Sequence, residues 1–503
     1  MNVLIYITPS PPEVMRFEYR GLPLGPLTIG TYVKHAGHSV KIIDGNIYKS
    51  PSDFEGFVPD VLGISMLTMY GILDAEGIRG FIADVRTVAA PVVVFGGPGS
   101  SVLSEVLLSE KLADYIVLGP GEEVFVDLLA ALENASAIHE IPGIAYLDDG
   151  VYRRTAHVVS GGFGMPLSLD YSLMDMPRYI AYSHEGTRSM DMCTSRGCKY
   201  RCAFCFNEFF YACSYQPRPV STIIAEMKFL IETYGVTYFR IMDECFGSDK
   251  AWLHELCNAM IAELPPIIWW CQLRGGMNNR EDYELMFRAG CRTVFIGVES
   301  ADPEMSRKIR KSLNLKRLPA EIDMLHELGF MVTGSFIVGF PGETREQLRH
   351  TCEFMLASKI NSFYMSKFYL IPNTGAFEEL LQSGRVTMPE TLAEFQAFLS
   401  PKRYRNYANV PERELDAVIA FFSLAYRLEL LAGKGAVVRV RSFIKSLSQG
   451  GGGDKRYLFY IIALFMKTLW RVFAHPFIRK KYGLTFRNFQ RYNPTRTQAK
   501  NNP

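Results

Sequence analysis

Short apolar segments and amphipathic segments alternate along most of this 503-residue chain, in two runs with a connector between them. This alternation constrains the fold most, because successive β/α units build parallel sheets with helices on their faces. The first run opens on the apolar residues 2–7, followed by Pro9, Pro11 and Pro12. Residues 39–43, 61–64, 91–95 and 115–118 read as further buried strands. Residues 27–36, 71–88 and 122–132 have helical spacing, the first ending at Gly37. The pattern predicts a doubly wound α/β domain over residues 1–140, with ligands at the carboxyl ends of its strands. Residues 141–185 read as a connector containing a hairpin at Asp148-Asp149-Gly150.

The second run is predicted to place strands at 189–192, 237–242, 267–272, 293–298, 332–338 and 362–370. Helices are expected at 222–233, 250–263, 281–288, 303–310, 320–328 and 343–357. Six β/α units in this order imply a partial parallel (β/α)6 barrel over 186–385, with its chemistry at the strand C-termini. The strand signal then fades. A mainly helical region, 386–503, carries a strong helix pattern at 412–431, a Gly-rich linker at 448–454 and an apolar, aromatic stretch at 457–473.

Composition excludes several classes. The chain is 48% hydrophobic and 21% charged, too apolar for disorder. No apolar run reaches the roughly 18 residues that span a bilayer. The first residues lack the basic start of a signal peptide. All ten cysteines lie between Cys193 and Cys352. That is too localised for a disulfide framework and points to a reducing cytoplasm. The net charge of +2 hides an asymmetry. Residues 434–503 carry fifteen Lys/Arg and one acid, so the tail holds +14 and the rest of the chain −12. Two readings of the tail stand: an interfacial helix on anionic lipid at the inner membrane surface, or a helix covering the barrel mouth. Nucleic acid is disfavoured, because the basic residues are interleaved with strongly apolar ones and no RNA-binding module is evident.

The central motif is Cys198-x3-Cys202-x2-Cys205, just after the first barrel strand. Thiolates this close can wrap one soft metal centre. Zinc is the plain alternative and needs a fourth ligand, for which Cys193 or Cys213 is available. The motif in this position resembles that of radical S-adenosylmethionine (radical SAM) enzymes, and the resemblance extends over residues 189–382. It implies a 4Fe-4S cluster on Cys198, Cys202 and Cys205, with one iron open to chelate SAM. Asp243 and Glu244, ending the second strand, would meet the SAM amino acid moiety. Glu299 and Ser300, ending the fourth, would meet ribose or methionine. Ile337 and Gly339, ending the fifth, would flank adenine together with Phe204. Arg274 after the third strand resembles an arginine facing the SAM carboxylate.

The N-terminal α/β domain resembles the cobalamin-binding domain of B12-dependent radical SAM proteins. The matching elements are Ser65-x-Leu67, the paired glycines of Gly96-Gly97-Pro98, and Gly119-Pro120-Gly121-Glu122. These would line the corrin and its nucleotide tail. Pro120 departs from the usual turn. The loop from Thr8 to Gly21 contains no histidine, so cobalamin would bind base-off without a histidine ligand. A domain that keeps the fold without the cofactor is the plain alternative.

The resemblance implies an enzyme that cleaves SAM reductively to a 5′-deoxyadenosyl radical and transfers a methyl group, through methylcobalamin, to an unactivated carbon. Cyclisation or oxidative rearrangement is the alternative within the family, and a non-catalytic iron–sulfur sensor the alternative outside it. The expected partners are a lipid, tetrapyrrole-like or other small-molecule substrate and an electron donor such as flavodoxin or ferredoxin.

Overall fold

The computed structural model describes residues 1–9, 21–47, 54–156, 168–182 and 187–432. The tail 433–503, with its linker and apolar–basic stretch, lies outside the described residues. So does most of the loop after the first strand. No helix among the described residues is long and apolar enough to cross a membrane.

The first sheet contains β1 (Asn2–Ile7), β2 (Ser39–Asp44), β3 (Val61–Ser65), β4 (Val92–Gly96), β5 (Tyr115–Val117), β6 (Ile144–Asp148) and β7 (Val151–Arg154). Its order is β2-β1-β3-β4-β5-β6-β7, with the first five strands parallel. Strands β1, β3 and β4 are buried on both faces, which is why they read as unbroken apolar runs. The order reverses between β1 and β3, so a crevice opens above the carboxyl ends of these strands. The hairpin at Asp148-Asp149-Gly150 forms, and β6 joins it to the N-terminal sheet through antiparallel pairing with β5.

The remaining strands are β8 (Ala181–Tyr182), β9 (Arg188–Met192), β10 (Ser195–Gly197), β11 (Tyr215–Pro217), β12 (Val236–Ile241), β13 (Ile268–Leu273), β14 (Cys291–Glu299), β15 (Met331–Val338) and β16 (Ser362–Lys367). Six of them, β9-β12-β13-β14-β15-β16, run parallel as an open half-barrel, edged by antiparallel β8. Alternate residues such as Trp269 and Cys271 pack outward against the helices in the main core. Their neighbours Trp270 and Gln272 therefore point to the concave side.

The helices begin where capping chemistry allows. Asn279 with Asp282, Thr344 with Gln347 and Thr391 with Glu394 form reciprocal capping boxes. The expected helix 71–88 is instead a 3-10 turn, Met69–Asp74, followed by an α-helix, Ala75–Arg86. Gly71 packs there too tightly for an added Cβ, 2.9 Å from Met66 Cγ. Short helices at Pro98–Val102, Ser104–Ser109 and Gly375–Gln382 went unforeseen, because so few turns display no periodicity.

Several contacts fasten the halves together. Tyr179 donates to Asp44 at 2.9 Å across them. The helix Leu392–Leu399, downstream of the barrel, places Leu392, Phe395 and Leu399 in the N-terminal core. Phe395→Ala is accordingly expected to cost about 3–5 kcal/mol. Thermal unfolding would read this as loss of the N-terminal sheet and the barrel in one transition at lower temperature.

Candidate functional site

The cysteine loop leaves the end of β9 and is held from several sides. Asp243, fully buried just after β12, accepts the Thr194 N–H and hydroxyl at 2.7 Å each and the Ser195 hydroxyl at 2.5 Å. Burial pushes its carboxyl up, while these donors pull it down. Antiparallel pairing of the short strands β10 and β11 then closes the base of the loop. Gly197 sits there at φ +71°, and an added Cβ would lie 2.2 Å from the Ser214 carbonyl oxygen, so only glycine fits. Asn207 donates to the carbonyls of Cys198 and Tyr200 at 2.5 and 3.0 Å. Ala203 donates to the Ile309 carbonyl and accepts from Ala376 N–H.

Cys198, Cys202 and Cys205 are free and half-buried on this loop. Burial pushes the Cys205 thiol up to about 11, so a metal centre must displace its proton to bind. Cys245 stands against Cys198. Among the described residues no three His, Cys, Asp or Glu side chains converge closely enough to hold one ion. A tetrahedral zinc site with Cys193 or Cys213 therefore lacks its geometry. Cys193 instead donates to the Ser195 carbonyl at 2.9 Å. The soft all-thiol donor set suits a multi-iron cluster, whose thiolates bind separate irons.

The positions foreseen for SAM separate into three groups. Phe204 and Ile337 share one apolar cluster, with the Phe204 ring 5.7 Å from Phe340. Gly339 begins the adjoining turn at φ +89°. Glu299, in left-handed backbone at φ +65°, pairs with half-buried Lys311 at 3.2 Å and accepts from Ser335. Arg274 stacks on the Tyr200 ring at 4.1 Å and donates to the Lys311 carbonyl. Glu299, Arg274 and the unforeseen Lys311 thus gather two cations and one carboxylate beside the cysteine loop. Ser300 turns away into the core, 3.4 Å from the Thr351 hydroxyl. Asp243 is committed to Thr194 and Ser195. Glu244 accepts the Gly197 N–H at 3.0 Å and faces a different space.

That space is a cleft between the two halves, with about 1230 Å³ of empty volume partly open to solvent. Ser65, Leu67, Gly96, Gly97, Pro98, Gly119 and Gly121 all line it from the N-terminal domain. Cys193, Arg196, Tyr211, Met242 and Glu244 line it from the barrel. A Cβ on Gly25 would meet nothing within 4 Å, and one on Gly96 only Val117 at 3.8 Å. Gly25 and Gly96 therefore keep open a space that ordinary side chains would fill, whereas Gly97, at φ +97°, is needed for close backbone approach to Met66. Leu67 is 65% exposed and Met242 40% exposed on the same cleft. Two large apolar side chains facing one void fit a bulky, partly apolar ligand such as a corrin. No histidine is among the described lining residues. Glu122 and Arg196, neither singled out from the sequence for this, form an ion pair across the cleft.

The radical SAM superfamily model matches residues 192–355 and the B12 binding domain model matches residues 14–129. The chain thus carries a B12-binding domain followed by a radical SAM domain, and is an enzyme. It is 28% identical over 387 residues to an uncharacterized methyltransferase of Pyrococcus horikoshii, covering 75% of this chain and 82% of that one. It is 25% identical to the anaerobic magnesium-protoporphyrin IX monomethyl ester cyclase of Synechocystis sp., covering 68% and 69%. In fold it is similar to the radical S-adenosylmethionine methyltransferase TsrM of Kitasatospora setae, solved with cobalamin and a 4Fe-4S cluster. The TM-score is 0.69 at 17% identity, covering 88% of this chain and 98% of that one.

One further residue was not foreseen. Glu343 is fully buried; its Oε2 accepts the Gly339 N–H at 2.6 Å and its Oε1 has no partner among the described residues. Burial pushes its carboxyl from 4.5 up to about 7. The protonated form is thus favoured by folding, a stabilisation complete below pH 4.5 and lost as pH rises to about 7. The Tm of Glu343→Gln should therefore gain on that of the native chain across this window and hold its advantage above it. A constant difference from pH 4 to 8 would contradict the assignment.

Proposed function

We propose that this chain is a cobalamin-dependent radical SAM methyltransferase acting on an unactivated carbon of an apolar small molecule. One observation supports this above the others: the glycine-lined cleft and the cysteine loop share a wall, formed by Cys193, Arg196 and Glu244. Two cofactors bound at these places would face one another across the substrate.

In this reading Cys198, Cys202 and Cys205 hold the 4Fe-4S cluster. Phe204, Ile337 and Gly339 flank the SAM adenine, while Arg274, Lys311 and Glu299 supply the charges around its polar end. Ser65, Leu67, Gly96, Gly97, Pro98, Gly119 and Gly121 would receive cobalamin. Bound together, these groups supply a 5′-deoxyadenosyl radical and a transferable methyl group. The chain's own part is geometric. Asp243 holds the cysteine loop in place, the Glu122–Arg196 pair holds the halves together, and Leu67 and Met242 exclude water from the reacting space. No side chain needs to act as a general base, because hydrogen-atom abstraction requires none.

The concave side of the barrel supports an apolar substrate. Trp270, Phe295 and Tyr364 alternate with core residues and face inward, and the Phe295 and Tyr364 rings are 6.4 Å apart. A ring-bearing lipid or tetrapyrrole-like molecule suits that wall. The basic, apolar tail would bring the enzyme to an anionic membrane surface. An external one-electron donor of the flavodoxin or ferredoxin class completes the reaction.

Anaerobically reconstituted protein should show a 4Fe-4S spectrum and release 5′-deoxyadenosine from SAM on reduction. Cys198→Ala should lose both. The product should gain one methyl group; a product that has lost hydrogen and closed a ring would instead assign the cyclase chemistry of the Synechocystis relative. A Gly96→Val side chain would enter the cleft without disturbing the fold. It should weaken hydroxocobalamin binding about tenfold or more in an absorbance titration, with an unaltered far-ultraviolet dichroism spectrum. Full binding by this variant would place the corrin elsewhere.

A further inference from the structure

Residues 307–317 contain six cations and no acid: Arg307, Lys308, Arg310, Lys311, Lys316 and Arg317. The chain outside the tail is acidic, so this run stands against the prevailing charge. Lys311 turns inward to Glu299, and the other five are exposed. The helix Pro303–Lys308 ends just before, and positive φ at Arg310 and Ser312 turns the backbone onto the cysteine loop. There the Ile309 carbonyl accepts the Ala203 N–H at 2.9 Å. Arg310 reaches the same spot: an ideal Cβ on Gly375 lies 3.4 Å from its Nη1 and 3.5 Å from Ala203 Cα. Arg201, on the cysteine loop itself, is 67% exposed.

The acids nearby do not cancel this charge. Arg201 and Arg310 share one carboxylate, Glu208, at 3.4 and 3.9 Å. Lys308 lies 3.6 Å from Glu379. Exposed pairs at such separations are weak and exchange readily for other anions. The outer face of the cysteine loop is therefore a positive patch, with a backbone hydrogen bond leading from it to Ala203, the neighbour of Cys202.

We propose that this face, around Arg201, Arg307, Lys308 and Arg310, docks an acidic one-electron carrier protein that reduces the iron–sulfur centre. The inference rests on the cofactor reading above and adds the place of contact. One electron leaves the carrier, which is oxidised by one equivalent, and enters the centre, which is reduced by one; no proton moves. Complementary charge raises the encounter rate more than the affinity, and salt screens it.

The test is stopped-flow reduction of the reconstituted full-length enzyme, read by bleaching of its visible absorbance. The reductants are an acidic flavodoxin in its hydroquinone form and photoreduced 5-deazariboflavin, which is small and uncharged. The native rate with flavodoxin should fall about tenfold or more from low to high salt. Arg307→Glu/Arg310→Glu should be slower with flavodoxin by a similar factor at low salt and nearly insensitive to salt. Its rate with deazariboflavin and its midpoint potential should match the native values. Arg310→Lys should keep the native rate with flavodoxin. An unchanged flavodoxin rate in the charge-reversed variant would overturn the proposal, as would an equal slowing with both reductants. So would tight, salt-sensitive capture of a mixed-sequence DNA duplex by this face together with an unchanged flavodoxin rate. If deazariboflavin fails to reduce even the native protein, the cluster assignment falls first and the docking face with it.

Discussion

The hydrogen bonds to the buried Asp243 carboxylate determine where everything else in the site can be. They tie the segment leaving β9 to the end of β12 before the cysteine loop begins. A loop carrying three thiols would otherwise be free to sample many separations, and a cluster bound by three cysteines tolerates few of them. The cost is a carboxylate held in the interior. It is offset by three donors, two of them hydroxyls that also need a buried partner. The Gly197 turn, the Asn207 side chain and the Ala203 backbone contacts continue the same task further along the loop.

The second constraint is the joining of two sheets that could each have been a domain alone. Above the first sheet, the switch between β1 and β3 opens a crevice by topology. The barrel closes over that crevice with the same loop that carries the thiols. The Glu122–Arg196 pair spans the gap, and the Leu392–Leu399 helix returns from the far end of the barrel to the N-terminal core. The cleft is thus shaped by both halves, and the glycines on its N-terminal wall matter because a second wall faces them.

Much of this was legible along the chain. Strand and helix alternation survives in any parallel sheet covered by helices, because both faces must be apolar. Short motifs at strand ends were legible for a related reason: glycine pairs and thiol clusters have few other uses. All seven positions marked for the corrin line one cleft. The positions marked for SAM separated more. Asp243 and Ser300 occupy motif positions, yet their side chains satisfy the protein's own backbone and core. A polar residue at a strand end can serve a ligand or its own loop, and only burial and partners distinguish them. Lys311 and Asn207 left no signal, since a lone lysine or asparagine has no periodicity; Glu343 closes the motif after the fifth barrel strand, but its inward turn onto Gly339 was not readable there.

By itself, then, the sequence determined the two β/α runs, the thiol triad and the glycines that hold the crevice open, because periodicity and spacing are local properties. The tertiary structure decided which face each strand-end side chain presents. It turned Glu244 to the cleft, drew Lys311 beside Glu299, and laid the basic run 307–317 against the cysteine loop. These are pairings between residues far apart in the chain, set by how the sheet closes, and no window of sequence contains both partners.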